Sequence, residues 1–196
     1  MLKNKWKTSS IIILIVGIVL LVSTFNTTIA WLKSESKTLI SKFSNGNIDI
    51  LLTDEDLKEN NILNYEIIPG TTIKKNTYVT VKAGSEDCWL FVEINQTDNF
   101  NEFMSYTMED GWQLLEENSN IYYIEVTKNN DDQNFNIIKE NIISIKSDIT
   151  NEQCKNLNEE NYPSISFAAY AIQRNNGMDM IDNAKEAWLL INNQNN

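Results

Sequence analysis

The chain has 196 residues, with 27 Asp and Glu against 16 Lys and Arg, a formal net charge of −11 and no histidine. An acidic balance of this size repels nucleic acid and anionic lipid, which excludes DNA, RNA and membrane surfaces as expected partners. Without histidine there is no Ser-His-Asp triad, Cys-His dyad or His-bearing zinc site; with no P-loop, GxGxxG or GxSxG pattern either, the chain reads as a non-enzyme with no catalytic, cofactor or metal residues.

The chain opens on Lys3, Lys5 and Lys7, continues with the apolar run Ile11 to Val22, and turns polar from Ser23 to Thr28. These are the three regions of an export signal. A twelve-residue helix rises only about 18 Å, short of the roughly 30 Å hydrocarbon core, so a cleaved signal over residues 1–30 is expected. The alternative is a signal anchor in which Phe25 and Ile29 lengthen the span. Thr28-Ile29-Ala30 offers small residues where a signal peptidase needs them, so cleavage is expected between Ala30 and Trp31. Removal of residues 1–30 takes three Lys and no acid, leaving 13 basic and 27 acidic residues and a net charge of −14.

Residues 31–46 read as a weakly structured arm, its apolar residues confined to Trp31, Leu32, Leu39, Ile40 and Phe43 between Lys, Ser and Glu. Residues 47–196 read as one domain. Its first strand is Ile48 to Leu52, apolar at alternate positions. The acidic stretch Asp54 to Glu59 follows as a solvated loop or short helical turn, since it lacks the spacing of an EF-hand. Asn64 to Ile68 reads as a strand leading into the turn Pro69-Gly70, where Pro presets φ and Gly accepts the positive φ of a type II turn. Thr77 to Lys82 reads as the strand leading out.

After a turn at Gly84 to Asp87, Cys88 to Ile94 is apolar on both faces, the pattern of a central strand covered on both sides. Phe103 to Met108, Trp112 to Leu115 and Ile121 to Val126 read as short strands, with turns at Asp110-Gly111 and Glu116 to Asn120. A polar loop over Asn129 to Asn134 precedes an expected strand pair, Phe135 to Ile138 with Ile142 to Ile145. Thr150 and Gln153 form a capping-box pattern that predicts a helix over Asn151 to Leu157. Ser164 to Gln173 reads as a long strand, and Ala184 to Ile191 as a closing helix with Asp182 as its cap. Many strands, few helices and polar connections predict an antiparallel β-sandwich with a few short helices, after the N-terminal signal helix.

Cys88 and Cys154 are the only cysteines, an even count that permits one disulfide outside the cell. The alternative is two free buried thiols. Paired carboxylates are numerous, but nothing singles out two of them beside an aromatic-lined cleft, as glycoside hydrolysis requires. Trp89, Trp112 and Trp188 with Tyr122, Tyr123 and Tyr170 have the composition of a glycan platform, yet aromatic residues at strand positions are expected in the core.

The segment AWLKSESKTLISKFSNGNIDI, the Pro69-Gly70 turn followed by Lys74 and Lys75, and the TVKAGSEDCWLFVEI block together resemble an exported bacterial family. Gly111-Trp112, Tyr162-Pro163, AAYAIQ and AKEAW add to the resemblance, which runs over nearly the whole chain. The family is the TasA and camelysin-like group, whose members carry a signal processed by a SipW-type signal peptidase. The resemblance implies a jelly-roll-like sandwich, release at or near Ala30, and a place in the matrix or on the surface of a Gram-positive cell. It also implies self-association into biofilm fibres through an N-terminal strand, which here would be the arm with Ile48 to Leu52 behind it. The arm's other course is to fold back as an edge strand of its own domain. A monomeric secreted binding module of the same fold is the alternative function. Camelysin-like relatives have been described as surface metalloproteases, but this chain has no histidine to carry that role over.

Overall fold

Antiparallel strand pairing organises the protein, which is mainly β and is described from a computed structural model for residues 47–54, 67–158, 160–175 and 180–194. The strands are β1 (Ile50–Asp54), β2 (Thr72–Lys74), β3 (Thr77–Val81), β4 (Cys88–Gln96), β5 (Met104–Met108), β6 (Gln113–Leu114), β7 (Ile121–Val126), β8 (Gln133–Asn136), β9 (Ile138–Ile145) and β10 (Ile165–Gln173). Among the described residues there are three helices, α1 (Phe100–Phe103) and α2 (Asn151–Lys155) between strands and α3 (Ala184–Gln194) after the last. The strands form three antiparallel sheets, in the orders β1-β3-β8, β10-β4-β7-β6 and β2-β9-β5.

The two-residue period of β4 sets the arrangement of the core. Cys88, Leu90, Val92 and Ile94 point into one cluster of buried side chains, together with Phe167 and Ala169 of the neighbouring β10 and Val79, Val81 and Ile143 from the other two sheets. Trp89 and Phe91, on the opposite face, join a second cluster with Ile172, Ala184, Ala187 and Ile191, so that α3 covers that face. Each large side chain so buried contributes about 1.5–3 kcal/mol. The central position of β4 follows, with β10 paired along its whole length on one side and β7 on the other.

Local chemistry fixes the turns and caps. Gly70 has φ of +80° and the Thr71 N–H bonds the Ile68 carbonyl at 3.2 Å, the geometry of the expected turn. Gly111, with φ of +101°, makes the Asp110-Gly111 turn, a backbone state that residues with a Cβ rarely adopt. Thr150 and Gln153 form the capping box of α2, each side chain bonding the other's backbone N–H. The cap of α3 is Asn183 rather than Asp182: Asn183 Oδ1 accepts the Glu186 N–H at 2.8 Å. The segment before α3 is held by the Trp89 indole, whose N–H donates to the Ile181 carbonyl at 2.8 Å.

Several sequence expectations are corrected. Strand β2 lies between the Pro69-Gly70 turn and β3, and pairs with β9. Ile67 and Ile68 are not in a strand, and residues 64–66 lie outside the described residues. Gln133 and Asn134 belong to β8 rather than to a loop. The stretch Phe135 to Ile138 does not pair with Ile142 to Ile145. Instead β8 pairs with β3, the chain changes sheets at the fully buried Ile137, and β9 runs between β2 and β5. Burial of both Ile137 and Ile138 in the main cluster drives the change, because no single strand register turns two consecutive side chains into the same core. Glu140 and Asn141, at φ of 56° and 57°, then bend β9, and the register with β5 shifts between Tyr106 and Met108.

Candidate functional site

Strand β10 ends its sheet, pairing with β4 through all nine residues, and among the described residues no strand pairs with its other side. Its sequence, ISFAAYAIQ, contains none of the Lys or Pro by which exposed edges are commonly protected. Both ends are fastened. Thr97 and Ser164 exchange bonds at the start, from the Thr97 N–H to the Ser164 carbonyl at 3.1 Å and from the Ser164 N–H to Thr97 Oγ1 at 3.0 Å. At the other end the Arg174 N–H donates to the Asp87 carbonyl at 2.9 Å. The result is a long, uncharged edge strand fastened at both ends, with β1 of the first sheet close to it.

A cleft of about 670 Å³ lies where the end of β4, strand β5 and the turn before β7 meet. The amides of Asn95, Gln96, Asn101 and Asn120 and the rings of Tyr106 and Tyr122 line it, and none of its lining residues is charged. Gln96 Nε2 donates to Tyr106 Oη at 2.7 Å, joining β4 to β5. Asn120 Nδ2 donates to Asn95 Oδ1 at 3.0 Å and reaches Glu93 Oε1 at 3.5 Å, while its carbonyl accepts the Ile94 N–H at 2.9 Å. Burial pushes the Tyr106 phenol up to about 12, so it is protonated at neutral pH.

Of the residues singled out from the sequence, Ala30, Trp31, Leu32, Leu39, Ile40 and Phe43 lie outside the described residues, as do the signal and arm as a whole. Cys88 and Cys154 are free thiols and form no bridge. The register explains why: Gln173, not Ile165, lies opposite Cys88, so the chain running from α2 into β10 enters the sheet at the far end of β4. Burial, with the Asp87 carboxylate, raises the Cys88 thiol to about 12, which leaves it protonated and unreactive. Among the described residues no group of three or more His, Cys, Asp or Glu side chains converges as a metal site would require.

The aromatic residues divide between core and cleft. Trp89 and Phe91 are buried against Tyr123 and Trp188, with ring centroids 5.8 Å apart for Trp89–Tyr123 and 5.2 Å for Phe91–Trp188. Tyr122 instead lines the cleft. The cleft amides escaped the sequence reading because they come from segments some 25 residues apart, as Asn95 and Asn120 show. The signal for them is the switch from apolar to amide residues at the end of β4, Ile94-Asn95-Gln96. Compared with family models, curated proteins and solved structures, the chain has no match.

Proposed function

We propose that this protein is an exported structural subunit of the TasA and camelysin-like kind, a jelly-roll-like β-sandwich that assembles into matrix or surface fibres by strand addition. A SipW-type signal peptidase releases it at Ala30, and the arm Trp31 to Phe43, with the strand behind it, is donated to the next subunit. The observation that supports this reading is the edge strand β10, nine uncharged residues paired on one side only among the described residues. A strand laid along that edge gains backbone hydrogen bonds while its alternate side chains fill surface pockets. No catalytic role is part of the reading.

With a net charge of −14 after release, subunits repel one another, and salt shortens that repulsion to about 10 Å at 0.1 M ionic strength. Assembly is therefore promoted by salt or by acid. The test compares chains starting at Trp31 and at Gly46 by light scattering and electron microscopy, together with the edge variant Ser166→Lys. Fibres from the Trp31 form that are lost in the other two support the proposal. Fibres from the Gly46 form, or none from the Trp31 form under any salt or acid condition, refute strand donation by the arm.

A further inference from the structure

We infer that the cleft between β4, β5 and the turn before β7 binds a neutral oligosaccharide. The inference is independent of strand addition at β10, since the two sites share no residue.

In a chain of net charge −11, the cleft is lined by no acidic or basic residue. Two charges of opposite sign border the lining amides, Glu93 at 3.5 Å from Asn120 Nδ2 and Lys146, whose ammonium donates to the Asn101 carbonyl. The cleft therefore offers no net charge to an anion or a cation, and the field of the whole chain opposes an anion. The ligand is accordingly polar and uncharged.

Hydrogen-bonding character narrows the class further. The amides of Asn95, Gln96 and Asn101 each present a donor and an acceptor side by side in one plane, and Asn120, whose NH2 is engaged by Asn95 and Glu93, presents its Oδ1. Vicinal sugar hydroxyls, each of which donates and accepts, match that arrangement. The half-buried Tyr106, Tyr122 and Met108 supply apolar surface for the C–H faces of a pyranose. The volume of about 670 Å³ falls within the roughly 300–1,000 Å³ typical of small-ligand sites, which leaves room for a short oligosaccharide.

The groups are already in place. Gln96 holds Tyr106 at 2.7 Å, and Asn120 holds Asn95 at 3.0 Å. Because Tyr106 Oη accepts the Gln96 N–H, its own hydrogen is left to donate. Gln96 Oε1 and Asn95 Nδ2 likewise have no partner among the described residues. A bound sugar therefore meets unused donors and acceptors on Gln96, Tyr106 and Asn95, each already held by one hydrogen bond, which lowers the ordering cost of binding.

The experiment titrates the purified protein with cellotriose, maltotriose and triacetylchitotriose, and with trigalacturonic acid as charged comparator, by isothermal calorimetry at low and high salt. The expected result is saturable binding of at least one neutral trisaccharide, with an affinity insensitive to salt and no binding of the acidic one. Tyr106→Phe and Asn120→Ala each weaken that binding about tenfold, the loss of one hydrogen bond. Their unfolding temperatures are measured alongside, and Asn95→Ala, at an exposed position, replaces any variant that fails to fold. No saturable heat with any neutral trisaccharide, equal binding of the acidic one, or affinity unchanged in the folded variants would each overturn the inference.

Discussion

The Lys75 ammonium and the Asp54 carboxylate form an ion pair whose side chains are only 9% and 7% exposed. Asp54 ends β1 opposite Thr77 of β3, and the Lys75 N–H donates to the Asn141 carbonyl of β9 at 2.7 Å, so the pair joins the first sheet to the third.

Breaking one side of such a pair leaves a buried charge without a partner, a loss of about 3–5 kcal/mol. Lys75→Met and Asp54→Asn are each expected to destabilise the protein by that order, measured as a fall in the urea midpoint. The double variant Lys75→Met with Asp54→Leu is expected to recover much of the loss, because no charge then remains buried. Single variants within about 0.5 kcal/mol of the parent would contradict the pair's role.

The two thiols are expected to differ sharply in reactivity. Cys154 is half-buried on α2, and Cys88 is fully buried in the main cluster. Iodoacetamide at neutral pH should modify one thiol per native chain, at Cys154, and two after unfolding without reductant. Peptide mass mapping gives the site. Zero thiols in the unfolded, unreduced chain would mean a bridge after all.

Alkali is expected to destabilise the fold before it reaches ordinary lysine chemistry. Cys88 is raised from 9.0 to about 12, first by burial, and Tyr106 from 10.0 to about 12, again first by burial. Between those limits the unfolded chain releases protons that the folded chain keeps, so stability is full below about pH 9 and falls as pH rises toward 12. The Lys82 ammonium, raised by its hydrogen bond to Asp132, acts in the same direction. Urea midpoints measured from neutral pH upward should decline above pH 9, and Cys88→Ala should flatten the first part of the decline. A profile that is flat to about pH 11 would disprove this reading of both groups.

Helix α3 is expected to depend on Asn183 and not on Asp182. Asn183→Ala removes the acceptor of the Glu186 N–H and should cost about 1 kcal/mol, whereas Asp182→Ala should be close to neutral. Fluorescence of Trp89 and Trp188, which lie in the cluster under α3, reports the loosening during urea unfolding. Equal effects from the two substitutions would return the cap to Asp182.

What could be read from the sequence was whatever nearest neighbours along the chain decide. The alternation of Ile48, Ile50 and Leu52, the doubly apolar run from Cys88, the Pro69-Gly70 turn and the Thr150–Gln153 box depend on side-chain period, on φ and on bonds across three residues. Each therefore stands in the structure within a residue or two of its expected place. Even the error at α3 is a local one, a cap displaced by one residue between two side chains of similar chemistry.

Sheet membership and both candidate sites required the tertiary structure. Nothing in Phe135 to Ile145 states that the chain will leave one sheet for another at Ile137, because that depends on a core assembled from strands far away in sequence. The same holds for Lys75 and Asp54, 21 residues apart, for the Asn95–Asn120 contact, and for the separation of Cys88 from the end of β4 where β10 begins. A sequence records which groups are present and how their neighbours bias them. Which distant groups meet is decided by register, since a slip of one residue turns every side chain of a strand to the other face.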